Sequence, residues 1–297
     1  MTLFLAILGV YFFVLLGFAA KRMFGEIHER SFVLLSIYFL QPILSFWGIL
    51  GAKIDFAAVT APLIYFAISL FAAVFGFLIF GRIFSDKKDA IIVTAGGVIG
   101  NTGNLGIPIL LAMFGKSAVL YAVLINLANI FVLYIIGVFL YSMGNYTPKE
   151  AIKNILSMPV IWSALVALCL NFFGITLPHA FDQTLEMGAY TSMTLQLIIF
   201  GIFLGGLGRF RPDMKLVSFT MGYKFVVVPL FTFAVLSLLD IAPFLKTLIF
   251  LQVCMPLAVN NVNLASLYDC KPYTVTANIL VSAVLFVGLI FVYKSVF

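Results

Sequence analysis

The stretch from Gly96 to Pro108 constrains this chain more than any other part of it. It lies inside an apolar segment, Ala90–Gly115, that is long enough to cross a membrane, yet it contains five glycines, two asparagines and a proline. These residues are poor helix formers. Because an unwound backbone inside a bilayer is tolerated only where protein buries it or water reaches it, the stretch predicts a helix broken at membrane depth, with a binding site at the break.

Composition indicates a membrane protein. Of the 297 residues, 64% are hydrophobic and 9% are charged, and the mean hydropathy is +1.19, whereas a soluble domain is about half apolar and a quarter charged. The net charge of +6 comes from basic residues scattered over short loops, which indicates membrane topology rather than a nucleic-acid partner. The three cysteines fit no metal-ligand spacing. We predict an all-α membrane protein without a metal, a cofactor or a separate soluble domain.

Ten segments are long enough to span a bilayer, which takes about 20 residues. They are Thr2–Ala20, Ser31–Ala52, Phe56–Gly81, Ala90–Gly115, Ser117–Met143, Ile155–Ile175, Thr184–Gly208, Leu216–Leu239, Phe244–Leu267 and Tyr273–Tyr293. The first carries basic residues after it and none before it, so it is predicted to be a retained helix rather than a cleaved signal peptide.

The distribution of basic residues over the loops predicts the orientation. Twelve lie in odd-numbered loops, namely Lys21, Arg22, Arg30, Arg82, Lys87, Lys88, Lys149, Lys153, Arg209, Arg211, Lys215 and Lys271. Four lie on the opposite side, namely Lys53, Lys116, Lys246 and Lys294. Basic loops face the cytoplasm, so both termini are predicted on the non-cytoplasmic side.

The connection after the fifth segment divides the chain into two halves. Thr147-Pro148-Lys149-Glu150 matches a capping box, with Thr147 as the N-cap, and predicts a short amphipathic helix over Lys149–Leu156 along the cytoplasmic interface. Five segments lie on each side of it. Since an odd number of crossings reverses the side of entry, residues 1–146 and 147–297 are predicted to be two inverted five-helix repeats, as in many transporters.

An inverted repeat requires a second break, in the ninth segment. There the stretch Gln252–Leu264 contains Pro256, Asn260, Asn261 and Asn263 in an otherwise apolar span. The two halves show no residue-by-residue identity, so the predicted repeat is one of pattern. We therefore expect two broken helices, the fourth and the ninth.

Charged residues are nearly absent from the spans. No Asp or Glu lies deep in any segment, and Lys224 is the one deep charge. Lys224 is either functional, the default for an intramembrane charge, or it snorkels to the interface. The isolated asparagines Asn126, Asn129 and Asn278 are interpreted as interhelical contacts, and Gln41-Pro42 as a kink near the site.

The predicted site combines both breaks with Lys224. Helix N-termini at the breaks would present partial positive charge, asparagine amides would add donors, and nothing negative opposes them, which favours a small anion such as a carboxylate. The predicted substrate-binding residues are Asn101, Thr102, Gly103, Asn104, Pro108, Lys224, Pro256, Asn260, Asn261 and Asn263.

Two motifs, Gly100–Pro108 and Met255–Asn261, resemble the auxin efflux carrier family of membrane permeases, and the resemblance covers essentially the whole chain. Lys224 ahead of Pro229 resembles a basic residue that the family carries in its eighth helix. Met158, which stands where the family usually has asparagine, and the proline-free seventh helix depart from the family pattern.

The resemblance implies a fold similar to that of bile acid–sodium symporters. It implies ten helices in two inverted repeats, with crossing broken helices four and nine. Helices one, two, six and seven would form a scaffold that carries homodimerisation, and the other six a mobile, elevator-type transport domain. Bacterial relatives are associated with malate and malonate, and plant relatives export auxin. The chain lacks the long central loop of many plant members, which favours a bacterial inner-membrane permease.

The leading hypothesis is a secondary transporter of a small organic anion that works by alternating access. The lack of buried acids favours uniport, exchange or loose coupling, and proton coupling through Glu186 or a sodium-coupled, bile-acid-type symporter are alternatives. An anion or solute channel is a further rival. An intramembrane enzyme would need titratable groups at depth, and His28 and His179 lie in loops, so we predict that the protein is not an enzyme.

The predicted orientation is tested by labelling introduced cysteines with a membrane-impermeant reagent from outside the cell. Ser117→Cys, in an even-numbered loop, is expected to react, whereas Ser85→Cys, in an odd-numbered loop, is expected to react only after the membrane is permeabilised. The unsubstituted protein gives the background from native cysteines. Reaction of Ser85→Cys alone would reverse the topology.

Overall fold

The structure of the protein, a computed structural model, describes residues 2–52, 59–208 and 211–296. Helices make up 83% of it, and no strand occurs among the described residues. In chain order the helices are α1 Thr2–Met23, α2 Glu29–Leu50, α3 Thr60–Ile83, α4 Lys87–Val98, α5 Thr102–Phe114, α6 Lys116–Ser142, α7 Pro148–Leu156, α8 Pro159–Phe172, α9 His179–Gly206, α10 Met214–Leu238, α11 Pro243–Val253, α12 Asn260–Leu267 and α13 Pro272–Val296.

Each of the ten predicted segments coincides with one of these helices or with a pair of them. By length and composition, six helices of the described chain can cross a membrane, namely α2, α3, α6, α9, α10 and the Pro272–Ile290 part of α13. The pair α7 and α8, bent by 50°, makes a seventh if it is one span. Lys53, Asp55, Arg209 and the predicted segment start at Phe56 lie outside the described residues. The chain is thus a helical, multi-pass membrane protein.

Three helices contain a π-helical turn just before a proline. The turn ends two residues before each proline, at Ser36–Leu40 before Pro42, Thr102–Gly106 before Pro108 and Tyr223–Val227 before Pro229. Proline lacks an N–H and its ring clashes with the preceding turn, and a π-turn is a local adjustment that accommodates this. Pro108, counted above among the poor helix formers of the stretch, is therefore not where the fourth helix is interrupted, because the interruption lies before Thr102.

Gly96 and Gly97 serve helix packing rather than unwinding, which corrects the prediction for this end of the stretch. Both lie within α4. A Cβ at Gly97 would fall 2.1 Å from the Tyr223 ring, and one at Gly96 would fall 2.8 Å from the methyl group of Thr220. The two glycines thus let α10 lie directly against α4, and the unwound part of the predicted stretch shrinks to the three residues between Val98 and Thr102.

A second close helix contact joins α1 and α9. A Cβ at Gly17 would lie 2.0 Å from the carbonyl oxygen of Ile198, and a Cβ at Gly201 would lie 2.0 Å from that of Val14. Small residues at such a crossing let the backbones approach, which is how helices associate in lipid without a hydrophobic driving force. The pair α1 and α9 is consequently held by backbone-to-backbone packing.

Gly201→Ala is expected to destabilise the protein by about 1–3 kcal/mol, because the added methyl group has no space and the helices must separate. Gly288→Ala, on α13, is the matched control, since a Cβ there meets nothing within 4 Å. Melting temperatures of the purified proteins in detergent measure the difference. Equal melting temperatures for the two variants would contradict the packing described for α1 and α9.

The predicted capping box at the midpoint of the chain is confirmed. The Thr147 hydroxyl accepts from the Glu150 N–H, and the Glu150 carboxylate accepts from the Thr147 N–H at 2.9 Å. The hydrogen bond from the Thr147 backbone lowers the pKa of the Glu150 carboxyl. The helix that follows is the predicted short helix, with its bounds at Pro148–Leu156.

An ion cluster joins the outer ends of the two broken helices. Lys271, between α12 and α13, lies 2.5 Å from Asp86 and 2.6 Å from Asp89 at the start of α4. Lys88 donates to the carbonyl oxygen of Asp269 at 2.7 Å. The hydrogen bond from Lys271 holds the pKa of the Asp86 carboxyl below its ordinary value of 3.8. The first and second halves of the chain are therefore connected here by charge.

Lys271→Gln is expected to lower stability at neutral pH by roughly 1 kcal/mol, since partly exposed ion pairs are weak. Asp86 has a lowered folded-state pKa, so its contribution is present above the ordinary pKa and is lost as the pH falls through the lowered one. The melting-temperature difference from the wild type should therefore shrink between pH 5 and pH 3. Lys149→Gln, in the exposed first turn of α7, is the control, and a difference that grows in acid would contradict the assignment.

Candidate functional site

Two interrupted helices meet inside the protein. The first interruption separates α4, which ends at Val98, from α5, which begins at Thr102. The second separates α11, which ends at Val253, from α12, which begins at Asn260. Both breaks were predicted from the sequence, and both are confirmed. Each leaves backbone groups that no longer have partners within their own helix.

The two breaks satisfy each other's backbone. Gly100 and Leu257 form an isolated antiparallel β-bridge. On one side of it the Asn101 N–H donates to the carbonyl oxygen of Pro256 at 2.7 Å, and on the other the Ala258 N–H donates to that of Ile99 at 3.0 Å. An unpaired backbone group in a bilayer costs several kcal/mol, so these bonds fix where the helices touch.

Side chains from α6 and α13 support this bridge at corresponding places. The Asn129 amide donates to the Gly100 carbonyl at 2.9 Å and accepts from the Tyr65 hydroxyl at 2.9 Å. The Ser282 hydroxyl accepts from the Leu257 N–H at 3.1 Å. Asn129 is thus an interhelical contact as interpreted from the sequence, and Asn278, which donates to Thr220 at 3.2 Å, is another.

A cavity of about 690 Å³ lies on one side of the paired breaks. Its walls are α2, α5, α6 and α9 together with both breaks, and it extends to Gly51 and Asp182, at the loop ends of α2 and α9. Apolar side chains, among them Leu44, Trp47 and Met193, line the part nearer α2 and α9. The size is within the usual range of small-molecule sites.

Six of the ten predicted site residues line this cavity. They are Asn101, Thr102, Gly103, Asn104, Pro108 and Asn260. They come from the two breaks, which are more than 150 positions apart in the sequence, so the structure brings both parts of the predicted site into one space. The Thr102 hydroxyl donates to Asn126 of α6 at 2.9 Å and secures the start of α5.

The other four predicted residues do not line the cavity. Asn261 is fully buried, donating to the carbonyl oxygens of Ile99 and Ala258 and accepting from the Tyr141 hydroxyl at 3.1 Å. Asn263 donates to the Asn260 side chain at 3.3 Å. Pro256 supplies the carbonyl oxygen that accepts from Asn101. These residues build the break rather than face its cavity, and Lys224, the fourth, lies behind the bridge.

Lys224 is buried at the far side of the crossing. Its side chain is 1% exposed, and its Nζ donates to the carbonyl oxygen of Gly97 at 3.3 Å. The ammonium therefore neither faces the cavity nor snorkels to the interface. Lys224 therefore does not contribute its positive charge to the anion preference that was predicted for the cavity.

Other polar residues of the cavity were not predicted to bind a ligand. Gln41, Asn126, Asn129, Gln196 and Asp182 all line it. Gln41 is 4% exposed and its amide nitrogen has no protein partner within the described structure, so it is free to donate to water or to a ligand in the cavity. Gln41 and Gln196 each lie in an apolar span, and a glutamine there is a sequence signal for a polar site. Gln41 was instead interpreted as part of a kink with Pro42.

The electrostatics of the cavity come from helix ends and amides. The helices α5 and α12 begin at Thr102 and Asn260, and both residues line the cavity. The N-terminus of a helix carries about half a positive charge. No lysine or arginine is among the described lining residues, and the one acid among them, Asp182, is exposed at the loop end. The inner part of the site is therefore weakly positive and rich in amide donors.

A multi-pass helical protein whose interrupted helices meet at a cavity lined by amides and apolar side chains has the architecture of a membrane transporter. The model of the membrane transport protein family, the auxin efflux carrier family, matches residues 2–293, so the chain belongs to that family. The chain is also 25% identical over 293 residues to an uncharacterized transporter of Methanocaldococcus jannaschii, covering 93% of this chain and 92% of the relative. The family resemblance seen in the sequence is confirmed.

Asn129→Ala is expected to lower the stability of the protein by about 2–4 kcal/mol, because it leaves the buried Gly100 carbonyl without its donor, at about 1–3 kcal/mol, and also removes the acceptor of the Tyr65 hydroxyl, which keeps its hydrogen bond with Ser69. Tyr65→Phe removes only one of the two hydrogen bonds and should cost about 1 kcal/mol. Thermal melting in detergent measures both. If the two substitutions cost the same, Asn129 does not hold the break.

Proposed function

We propose that the protein is a secondary transporter that binds a small organic anion, a carboxylate, at the paired breaks and moves it by alternating access. The observation that supports this most is the meeting of two helix N-termini, at Thr102 and Asn260, on one cavity lined with amides. Helix N-termini bind anions without a cationic side chain. Membership of a transporter family supports the same conclusion.

The shape of the cavity favours a carboxylate with an apolar body. The helix ends and Asn104 offer donors at the breaks, whereas Trp47, Leu44 and Met193 offer apolar surface opposite them. Malate or malonate would leave that surface uncovered, and an auxin-like aromatic acid would bury it. Burying apolar area contributes about 25 cal/mol per Å², so the larger acid gains the most.

We further propose ten membrane spans arranged as two inverted repeats, residues 1–146 and 147–297. In this arrangement α4 with α5 and α11 with α12 each make one span, α8 makes the sixth span, and α7 lies along the cytoplasmic interface. The antiparallel pairing of Gly100 with Leu257 has a local two-fold axis, as two inverted halves require. Support of the bridge from Asn129 on α6 and from Ser282 on α13 follows the same symmetry, since these are the last helices of the two halves.

The proposed movement is of the elevator type. The helices α1, α2, α8 and α9 would form a scaffold and homodimer interface, and the remaining helices would carry the site. The cavity lies between α2 and α9 on one side and the breaks on the other, which is the boundary across which such a movement takes place. Close packing of Gly17 and Gly201 keeps α1 and α9 together as one body.

The proposed location is a cell membrane, the inner membrane in bacteria, with both termini outside the cytoplasm. In that orientation the cavity extends toward Gly51 and Asp182, which adjoin even-numbered, non-cytoplasmic loops. The structure would then be an outward-open conformation, with the cavity accessible from outside the cell. Because the cavity wall has no buried carboxylate among its described residues, uniport or exchange is proposed rather than coupling through a buried acid.

Uptake of radiolabelled carboxylates into proteoliposomes tests the site. Asn104→Ala and Asn260→Ala are each expected to reduce uptake at low substrate concentration by about 10- to 100-fold, since a hydrogen bond to a charged group contributes about 1.5–3 kcal/mol. Asn154→Ala, whose amide contacts Ser142 outside the cavity at 3.0 Å, is the control. Wild-type uptake by both cavity variants would refute the proposed site.

A thermal-shift panel tests the substrate class. A ligand that binds the folded state raises the melting temperature, and it does so more the further its concentration exceeds its Kd. We expect an aromatic monocarboxylate to stabilise the protein more than malate or malonate, and its matching primary amide, which lacks the charge, to have no effect. Stabilisation by the amide as strong as that by the acid would contradict anion binding at the helix ends.

A further inference from the structure

Lys224 is the only charged side chain among the buried residues in the described part of the chain. It lies in the π-helical turn Tyr223–Val227 of α10. None of the ion pairs formed by the described residues includes it. A buried ammonium without a carboxylate needs another source of negative potential.

Backbone carbonyl groups are one such source, and the Cys254 side chain also interacts electrostatically with Lys224. The Lys224 Nζ donates to the carbonyl oxygen of Gly97 in the last turn of α4. A Cβ built on Gly100 marks a point 3.2 Å from this Nζ, 3.5 Å from the carbonyl oxygen of Met255 and 3.7 Å from that of Gln252. The ammonium and carbonyls from the ends of α4 and α11 thus converge beside the same glycine.

The C-terminal end of a helix is the negative end of its dipole, and its last carbonyl groups have no partner within the helix. In transporters with interrupted helices, such half-helix C-termini and unwound carbonyls coordinate a monovalent cation. Here the C-termini of α4 and α11 meet next to the bridge, so the same surroundings are present. One carbonyl of these surroundings, that of Gly97, accepts from the lysine ammonium.

We propose that the Lys224 ammonium is a tethered cation that fills a monovalent-cation site made by the carbonyls at the ends of α4 and α11. It holds the two breaks together as a bound ion would, without an ion taken from solution. The site cannot exchange its cation, so the transporter needs no co-transported cation at this position. This inference does not rest on the identity of the substrate.

Removal of the lysine should create an exchangeable cation site. The lost ammonium of Lys224→Ala leaves the Gly97 carbonyl without its donor and leaves space near the carbonyls for Na⁺ or for methylammonium, which restores the missing group. Lys224→Arg keeps a charge on the side chain and should not create such a site. A ligand that binds only the folded state raises the melting temperature.

The experiment is thermal melting of substrate-free protein in choline chloride, NaCl, KCl and methylammonium chloride at equal ionic strength. We expect the wild type and Lys224→Arg to melt at one temperature in all four salts. Lys224→Ala should melt lower in choline and rise saturably, by about 2–4 °C, with methylammonium or Na⁺. Equal melting of Lys224→Ala in all four salts, or a wild type that shows the same cation dependence, would overturn the proposal.

A second variant applies if Lys224→Ala does not fold in any salt. Gly100→Ala keeps the lysine but puts a methyl group 3.2 Å from its Nζ, and should therefore lower the melting temperature. Gly222→Ala, two residues from Lys224 on the same helix, is its control, since a Cβ there meets nothing within 4 Å. Equal melting temperatures for these two variants would show that the ammonium is not held beside Gly100, which also overturns the proposal.

Discussion

An interrupted helix inside a bilayer leaves N–H and C=O groups without water to satisfy them, and the rest of this structure depends on how they are paired. The break at Gly100 and the break at Leu257 exchange backbone hydrogen bonds across an antiparallel bridge. Each half of the chain therefore supplies hydrogen-bond partners for the backbone groups that the break in the other half leaves unpaired. Because an orphaned backbone group costs several kcal/mol in lipid, neither break is stable alone, and the two must form together.

The pairing divides the polar residues around it into two groups. The Asn261 amide donates to the backbone of the breaks away from the cavity, and Asn104 and Asn260 line the cavity. Asn129 does both, because its amide donates to the Gly100 carbonyl at the cavity wall. The positive charge is divided in the same way, because the Lys224 ammonium contacts the Gly97 carbonyl behind the bridge while the N-termini of α5 and α12 lie at the cavity. In the two proposals made above, the fixed cation stabilises the crossing, and the weakly positive inner part of the cavity binds and releases a carboxylate.

The sequence was most informative where chemistry is local. Glycine, proline and asparagine content predicted both breaks, and the capping box at Thr147 predicted the helix it begins. Loss of helix was overestimated, because Gly97 looks like a helix breaker but gives space to the Tyr223 ring of another helix. Which asparagines face the cavity, and that Lys224 does not, depends on contacts between halves that sequence spacing does not contain. That Gln41 lines the cavity likewise depends on such contacts and could not be predicted from the sequence.

The central claim is that the paired breaks form the substrate site. An electron cryomicroscopy structure with a carboxylate that raises the melting temperature tests it most directly. We predict carboxylate density within hydrogen-bond distance of the first N–H groups of α5 or α12 and of the Asn104 or Asn260 amide, with the body of the molecule toward Trp47. Density for the carboxylate elsewhere, with this cavity empty, would contradict the claim.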